Sequence, residues 1–422
     1  MTVIGIDDTD SRETGMCTTY LAARVADRLA DEWSVTRRLL VRLNPAVEHK
    51  TRGNAALAIH TSAPPARALS AVRVDLDMAE TDDPRTNPGV VVAAVDPERV
   101  PDDVVEFSSD AVQRHHTIED ARALIDDRGY ESRESGNGRG LIGAIAAVGA
   151  WQARDDWTYE CISYRGSDRR GTPRQVDAES VFAAADQAYP DAWDTVDRVE
   201  GDLVCVPHTP GPILHGIRGD EPDVVREVAE SIESEPVERR SLFITNQGTD
   251  AHLREGTVGS VRDGRSYRVA GRVETAPETR EGGHVFLEIA GEDGRGRLRC
   301  AAFEPTKRFR DRVRNLRVGD RITACGEVAD ETLKLEKFAV RDLVTTERVT
   351  PTCPDCGRSM ESAGRDQGYR CRDCGTSRDR KAERRLDRDL DGGWYEVPPV
   401  ARRHIAKPLI RGGFDGPTHP ER

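Results

Sequence analysis

Lysine is almost missing from this chain of 422 residues: six of its 62 basic residues are Lys and the rest are Arg. Against 75 acidic residues this leaves a net charge of −13. Such a balance ordinarily argues against a nucleic-acid partner. The argument is weak here, because Asp and Glu are spread throughout, as on a solvated, salt-adapted surface, and arginine stays available to grip phosphate. Aromatic residues are scarce, at 5%. Long apolar runs are lacking too: nothing approaches 18 consecutive apolar residues and Met1 leads straight into a strand-like segment. Neither a signal peptide nor a membrane span is expected, and the protein reads as cytoplasmic with no membrane partner. Cysteine is sparse, at nine. Four of the nine are paired in a metal-type spacing and the rest are scattered, which fits a reducing compartment rather than a disulfide framework. At this length two to four domains are expected.

What is present begins at the N-terminus. The apolar run Val3 to Ile6 ends in Asp7-Asp8-Thr9-Asp10, and Met16-Cys17-Thr18-Thr19 follows shortly after. Along an extended segment alternate side chains share a face, so Asp8 and Asp10 point one way and Asp7 the other. Three acids this close repel one another unless a cation or solvent sits among them, and hard oxygen ligands suit magnesium arriving with a nucleotide's phosphates. An Asx-turn with solvated acids is the plainer reading of DDTD alone. The helix from Thr18, with Leu21, Val25 and Leu29 on one face, favours the first reading, because its N-terminus presents free N–H groups and two hydroxyls to the acids.

Strand and helix signals alternate up to about residue 150: Val35 to Leu43, Ala55 to His60 and Val90 to Val95 as strands, Val104 to Ile125 as helical. Ser135-Gly136-Asn137-Gly138-Arg139-Gly140 then opens an apolar helix over Leu141 to Ala147. Such a turn lets backbone N–H groups approach phosphate, although a flexible loop before a buried helix explains it equally well. From Thr158 to Thr245 the order is βαββαβ, with strands at Thr158 to Tyr164, Leu203 to Pro207, Ile213 to Ile217 and Leu242 to Thr245, a ferredoxin-like pattern. Arg165, Arg174 and Arg218 lie beside glycines there and could clamp phosphates, or be surface residues on turns. Five short strands between about Glu255 and Leu343, with an amphipathic stretch over Lys307 to Leu316 between the third and fourth, match an OB-type barrel. Phe286, Phe303, Phe309 and Phe338 are its candidate stacking residues, with one or two expected at the surface.

The most specific spacing is Cys353-x2-Cys356, fourteen residues, Cys371-x2-Cys374, each half reading Cys-Pro/Arg-Asp-Cys-Gly. Four thiolates in this pattern form a structural zinc ribbon with a closed coordination shell. Arginines surround it, and Arg402, Arg403 and Lys407 follow; this basic tail is expected either to meet RNA or DNA phosphates or to form a solvated helix.

In chain order, the segments Gly5-Ile6-Asp7-Asp8-Thr9-Asp10-Ser11, Gly15 to Tyr20, Lys50-Thr51-Arg52-Gly53-Asn54, Gly171 to Arg174, Gly216-Ile217-Arg218-Gly219 and Thr245 to Asp250 resemble the family of archaeal tRNA-isoleucine 2-agmatinylcytidine synthetases, TiaS. The likeness runs over nearly the whole chain. It implies a multidomain α+β protein: a kinase-like α/β catalytic domain over 1–150, a ferredoxin-like domain over 151–254, an OB-fold nucleic-acid-binding domain over 255–345, and a zinc ribbon with a basic tail over 346–422. It also implies an ATP-dependent ligase that attaches agmatine to C-2 of the wobble cytidine of an isoleucine tRNA with a CAU anticodon, through a phosphorylated cytidine, so that the anticodon reads AUA. On this resemblance Asp7, Asp8 and Asp10 would hold Mg2+ against ATP, and Thr18 would accept a phosphoryl group. Gly136, Gly138, Gly140 and Arg165 or Arg174 would meet phosphates, Lys50 and Arg52 would offset charge developing in the transfer, and Cys353, Cys356, Cys371 and Cys374 would bind zinc. Removing 346–422 is expected to weaken tRNA binding and spare ATP binding. The rival readings are a non-enzymatic single-strand nucleic-acid binder and a small-molecule kinase with an accessory RNA domain.

Overall fold

The computed structural model describes residues 1–11, 13, 15–48, 50 and 53–422. The first apolar run forms β1 (Thr2–Asp7), buried because it lies between two antiparallel neighbours with helices over both faces. The chain continues through α1 (Thr18–Ala30), β2 (Val35–Arg42), β3 (Ala55–Thr61), α2 (Pro65–Leu76), β4 (Gly89–Ala93), α3 (Asp102–Gln113), α4 (Ile118–Arg128), β5 (Glu131–Glu134) and α5 (Gly140–Gly149). Next come β6 (Thr158–Arg165), α6 (Ala178–Ala188), β7 (Ala192–Trp193), β8 (Ile213–Gly219), α7 (Pro222–Ser231) and β9 (Val237–Thr245). All these strands join one nine-stranded sheet of order β5-β4-β1-β3-β2-β9-β6-β8-β7. The expected border near residue 150 is therefore a seam inside a sheet, where β2 and β9 pair in parallel through Leu39–Ile244 and Leu40–Thr245.

Three local expectations change. The helical stretch near Val104 to Ile125 is two helices, because Arg114 turns extended and Thr117 restarts the chain with a reciprocal capping box to Asp120. No strand forms over Leu203 to Pro207; the edge of β8 is taken instead by β7, whose Trp193 is buried. The βαββαβ order survives with that substitution. Helix α2 and strand β5 are additions, since neither segment carries a strong periodicity.

The apolar α5 lies flush on β1. A Cβ at Gly5 would sit 1.9 Å from the Ala144 carbonyl oxygen, and one at Gly143 1.9 Å from Asp7 Oδ2. Only glycine permits this approach, which brings the start of α5 against the acidic end of β1.

After β10 (Leu253–Thr257), the strands β11 (Arg265–Val273), β12 (Glu278–Thr279), β13 (Val285–Ala290), β14 (Arg297–Ala302), β15 (Arg321–Ala329) and β16 (Thr332–Asp342) follow, with α8 (Phe309–Arg314) between β14 and β15. Pairings β11–β13, β13–β14, β14–β16, β16–β15 and β15–β11 close a five-stranded barrel. Phe309 and Phe338 lie in its core. Phe286 and Phe303 are half-buried and pack edge to face, with Arg280 and Arg299 over the Phe286 ring at 4.7 and 4.3 Å.

A two-stranded stalk, β17 (Thr346–Val349) against the later β21, carries three short strands β18 (Glu361–Ser362), β19 (Tyr369–Arg370) and β20 (Ser377–Arg378); β21 is Ala382–Arg385. The chain then returns to the barrel as β22 (Gly393–Glu396) on β16, and β23 (Thr418–His419) pairs with β22.

The tail is not a free basic arm. Arg402 is buried between Asp194 and Glu396, Arg403 pairs with Glu327 and Glu336, and Arg411 pairs with Asp220 and Asp156. Lys407 gives its backbone N–H to Asp250. Acids reach these groups from residues far away in sequence, so the expected phosphate contacts of Arg402 and Arg403 are replaced by ion pairs that tie the tail to the barrel and to the nine-stranded sheet. No helix of the described residues is long and apolar enough to cross a membrane.

Candidate active site

One cavity of about 880 Å³ opens beside the seam, lined by Asp7 at the end of β1 and by Asp8 and Asp10 just after it, from α1 by Thr18, and from the far lobe by Glu160 and Arg218. A volume of this size accommodates a drug-sized or nucleotide-sized ligand. At its acidic end Asp7 Oδ1 accepts the Asp8 N–H at 2.7 Å, and Asp8 takes the left-handed conformation, φ +58°. This bend points the Asp8 carboxylate at Arg139, 2.9 Å away. Thr9 donates from its hydroxyl to Thr18 Oγ at 3.1 Å, so the first helical residue of α1 is held directly against the acidic turn.

Burial, reinforced by Asp8, pushes the Asp7 carboxyl well above the usual range, and burial raises Asp8 to about 6 although Arg139 opposes it. Buried carboxylates that resist ionisation are poised for a cation or for a proton-linked role. Their oxygens are not gathered to one point: among the described residues the four zinc-type cysteines are the one group of three or more metal-binding side chains close enough to share an ion, with donor atoms within 4.8 Å of one another. That spacing and the four-thiolate set fit a tetrahedral zinc site.

The raised Asp8 has a sign. Its folded value lies above the unfolded one, so burial costs nothing below about pH 4, and the penalty is complete above about pH 6. Ligand-free protein is expected to lose stability as pH rises through that window relative to Asp8→Asn, by about 3 kcal/mol. Parallel melting curves at pH 4 to 8 check this; a difference that does not change with pH contradicts it.

Of the other anticipated residues, Lys50 lines the cavity and bonds the Pro45 carbonyl. Arg52 and Thr51 lie outside the described residues. In the glycine loop the lining is done by Asn137, Arg139, Ile142 and Gly143. Gly136, Gly138 and Gly140 form the turn and its packing: a Cβ at Gly136 would strike Asn87, at Gly138 Glu134, and at Gly140 the backbone of Gly89.

Arg165 and Arg174 are elsewhere. Arg165 is fully buried, bidentate to Glu235 at 2.7 and 2.9 Å, and donates to the Thr172 carbonyl. Arg174 donates to the carbonyls of Pro207, Thr209 and Ile213 at 2.6, 2.9 and 2.8 Å, and so shapes the wall that Pro207, Thr209 and Ile213 present to the cavity. Glycine-flanked arginine is a sound signal for a constrained turn, but it does not tell a phosphate from a carbonyl or a carboxylate as partner. Arg165→Met leaves Glu235 buried without its partner and is expected to cost about 3–5 kcal/mol. Thermal unfolding measures this, and an unchanged melting temperature contradicts the pairing.

Charged cavity-lining side chains that sequence reasoning misses include Arg139, Glu160 and Arg42. Glu160 is the one acid on the otherwise uncharged run Thr158 to Tyr164, which is its only signal. It is buried; Oε1 accepts Arg218 Nε at 3.3 Å, and Oε2 is buried with no hydrogen-bond partner among the described residues. His115 and His116 sit at the rim, His116 stacked on Phe107.

Carboxylates at a strand end, a hydroxyl at a helix start and guanidinium groups around one deep cavity define a multidomain α+β protein equipped to handle phosphorylated ligands. Comparison with known proteins narrows the class. Three family models match in order, described as the TiaS TCKD domain (residues 3–66), the TiaS FLD domain (138–252) and the TiaS C-terminal zinc ribbon domain (350–390). The isoleucine-tRNA 2-agmatinylcytidine synthetase TiaS of Haloquadratum walsbyi is 55% identical over the full length of both chains. Two solved structures are also similar. The complex of TiaS with its isoleucine tRNA and ATP has a TM-score of 0.88 at 41% identity, and the complex with the tRNA, AMPCPP and agmatine 0.86 at 39%; each covers 100% of this chain and 99% of its own. The chain belongs to the TiaS family of isoleucine-tRNA 2-agmatinylcytidine synthetases.

Proposed function

We propose that this protein is an ATP-dependent ligase that joins agmatine to C-2 of the wobble cytidine of an isoleucine tRNA carrying a CAU anticodon. The observation that carries the reading is the full-length match to proteins of that name, one of them solved with its isoleucine tRNA, an ATP analogue and agmatine together. The chemistry explains the cavity. A cytosine carbonyl oxygen is a poor leaving group, so ATP activates it by phosphorylation and an amine then displaces it. The base leaves the anticodon stack to reach such a site.

In this reading Asp7, Asp8 and Asp10 would hold Mg2+, which supplies countercharge for a triphosphate. The burial and raised carboxyl values of Asp7 and Asp8 support it, since such acids gain from a bound cation. Thr18 would take a phosphoryl group through its hydroxyl, with Lys50 and Arg139 offsetting the charge; Arg52 keeps its proposed part in this on motif match alone. Glu160, with one oxygen unpartnered, would accept an N–H group of agmatine, a dication. The cysteine cluster would carry structural zinc.

We assign the N-terminal lobe as kinase-like, the βαββαβ lobe as ferredoxin-like and the closed barrel with its α8 cap as an OB fold, with borders near 150, 254 and 345. The zinc ribbon proper is confined to the stalked unit, because the tail after 390 packs back on the barrel. A binding module made of barrel and ribbon leaves the cavity without a role.

The test is mass analysis of the wobble nucleoside after incubation at high salt with isoleucine tRNA transcript, ATP, Mg2+ and agmatine, each omitted in turn. A gain equal to agmatine minus water, lost without ATP or agmatine, is the expected result. An unchanged nucleoside despite tRNA binding refutes the ligase.

A further inference from the structure

We propose that Arg42 and Arg218 form a two-guanidinium site that holds the phosphoryl group as it departs from the activated cytidine, and that Asn246 and Gln247 aim Arg42 at it. This rests on the ligase reading above and adds the residues for its second half.

Arg42 ends β2 at the seam between the lobes. Its backbone N–H donates to Asn246 Oδ1 at 2.7 Å, and its carbonyl accepts from Asn246 Nδ2 at 2.9 Å. Its side chain is fixed separately, by Nε donating to Gln247 Oε1 at 2.9 Å. Asn246 and Gln247 are themselves buried and locked, with the Gln247 N–H on Thr245 Oγ1 and the Gln247 carbonyl on Thr158 Oγ1. Three hydrogen bonds thus set one arginine, a precision that packing alone does not require. Among the described residues neither terminal nitrogen of Arg42 has a hydrogen-bond partner, and the residue lines the cavity.

Arg218, on β8, lines the same cavity and is likewise held through Nε alone, by Glu160. Arg218 thus faces a carboxylate, whereas the side-chain partner of Arg42 is a neutral amide. Burial lowers the proton affinity of Arg42 and Arg218 lowers it further, while Glu160 partly offsets both. A half-buried pair of cations with four N–H2 groups between them, none hydrogen-bonded among the described residues, is complementary to a tetrahedral oxyanion.

The displacement supplies one. The agmatine nitrogen forms a bond to C-2 and sheds a proton, which ends on the released orthophosphate. The C-2–O bond breaks with its electron pair leaving on oxygen, and that oxygen departs as part of orthophosphate. Negative charge grows on the departing group, and donors already in place stabilise it without reorganising. In the reading above the acidic end of the cavity is taken by the magnesium-bound triphosphate, which leaves the arginine side for the departing group.

The experiment follows γ-32P-ATP label into tRNA and, in parallel, agmatinylated nucleoside by mass, for the full-length protein at high salt. Arg42→Met is expected to lower product at least a hundredfold while label still enters tRNA and accumulates there. Gln247→Leu is expected to lower product about tenfold at unchanged ATP affinity, and Gln247→Glu, which keeps the acceptor, to restore it. Binding of inorganic phosphate to the tRNA-free protein is expected to weaken at least tenfold in Arg42→Met, and the continued entry of label into tRNA separates a lost anion site from a misfolded variant. Product and phosphate binding at wild-type levels in Arg42→Met overturn the proposal, as does a parallel fall of label and product, which places Arg42 before the displacement. Wild-type protein that makes no product at all overturns the ligase reading along with this one; product in the wild type with unaffected variants overturns this one alone.

Discussion

Asp7→Asn is expected to lower agmatine-dependent product formation roughly a thousandfold and, at the same time, to raise the melting temperature of the ligand-free protein. The two effects share one cause. The Asp7 carboxyl is buried against Gly143, where a Cβ would come within 1.9 Å of Oδ2, and burial first, then Asp8, pushes its proton affinity well up. A neutral amide of the same shape removes that penalty and keeps an acceptor for the Asp8 N–H. It also removes the charge that a magnesium-bound triphosphate would need. Product measured by mass and melting followed by circular dichroism check the two halves. A variant that keeps full activity refutes the catalytic assignment, and one that melts lower shows that the carboxylate is structural instead.

The second large effect concerns the ribbon. Val349 pairs with Ala382 across the stalk, so residues 350–381 can be replaced by a two-residue Asn-Gly turn without moving either strand. This deletion is expected to weaken tRNA binding at least tenfold, the loss of one or more charge-assisted phosphate contacts, with ATP binding and melting unchanged. Seven basic and five acidic residues leave with it, so any loss comes from placement more than from net charge. Truncation at 346, by contrast, is expected to collapse the barrel. It strips β22 from β16 and removes the fully buried Trp394, together with the acid-paired Arg402 and Arg411. Filter binding and thermal melting of the two deletions side by side distinguish them. Equal tRNA affinity before and after excision of 350–381 refutes the ribbon's role, and a stable protein ending at 345 refutes the tail as a structural strap.

Much of the site is legible in sequence, and the misses have a common pattern. The acids after Ile6, Thr18 at the start of α1 and the four cysteines are readable because their meaning depends on neighbours a few residues away: an apolar run, a helical repeat, a two-residue gap. Arg165, Arg174 and Arg402 mislead because an arginine's role depends on what faces it. For Arg165 that is Glu235, and for Arg402 it is Asp194, on another element altogether. Glu160 and Arg42 escape notice for the same reason. A lone acid on an apolar strand or an arginine at a strand end gains significance only once β2 and β9 pair and bring the two lobes together.

Local periodicity and spacing, then, were enough to set much of the order of strands and helices, the five barrel strands, the four-cysteine cluster and the acidic strand end, since each is governed by interactions within a few residues along the chain. The tertiary structure alone decided that two lobes form one sheet, that the tail binds the body through ion pairs, and which guanidinium groups remain directed at the cavity. Those outcomes depend on strands and charges that pair across scores to hundreds of residues, with partners chosen by burial and geometry rather than by sequence distance.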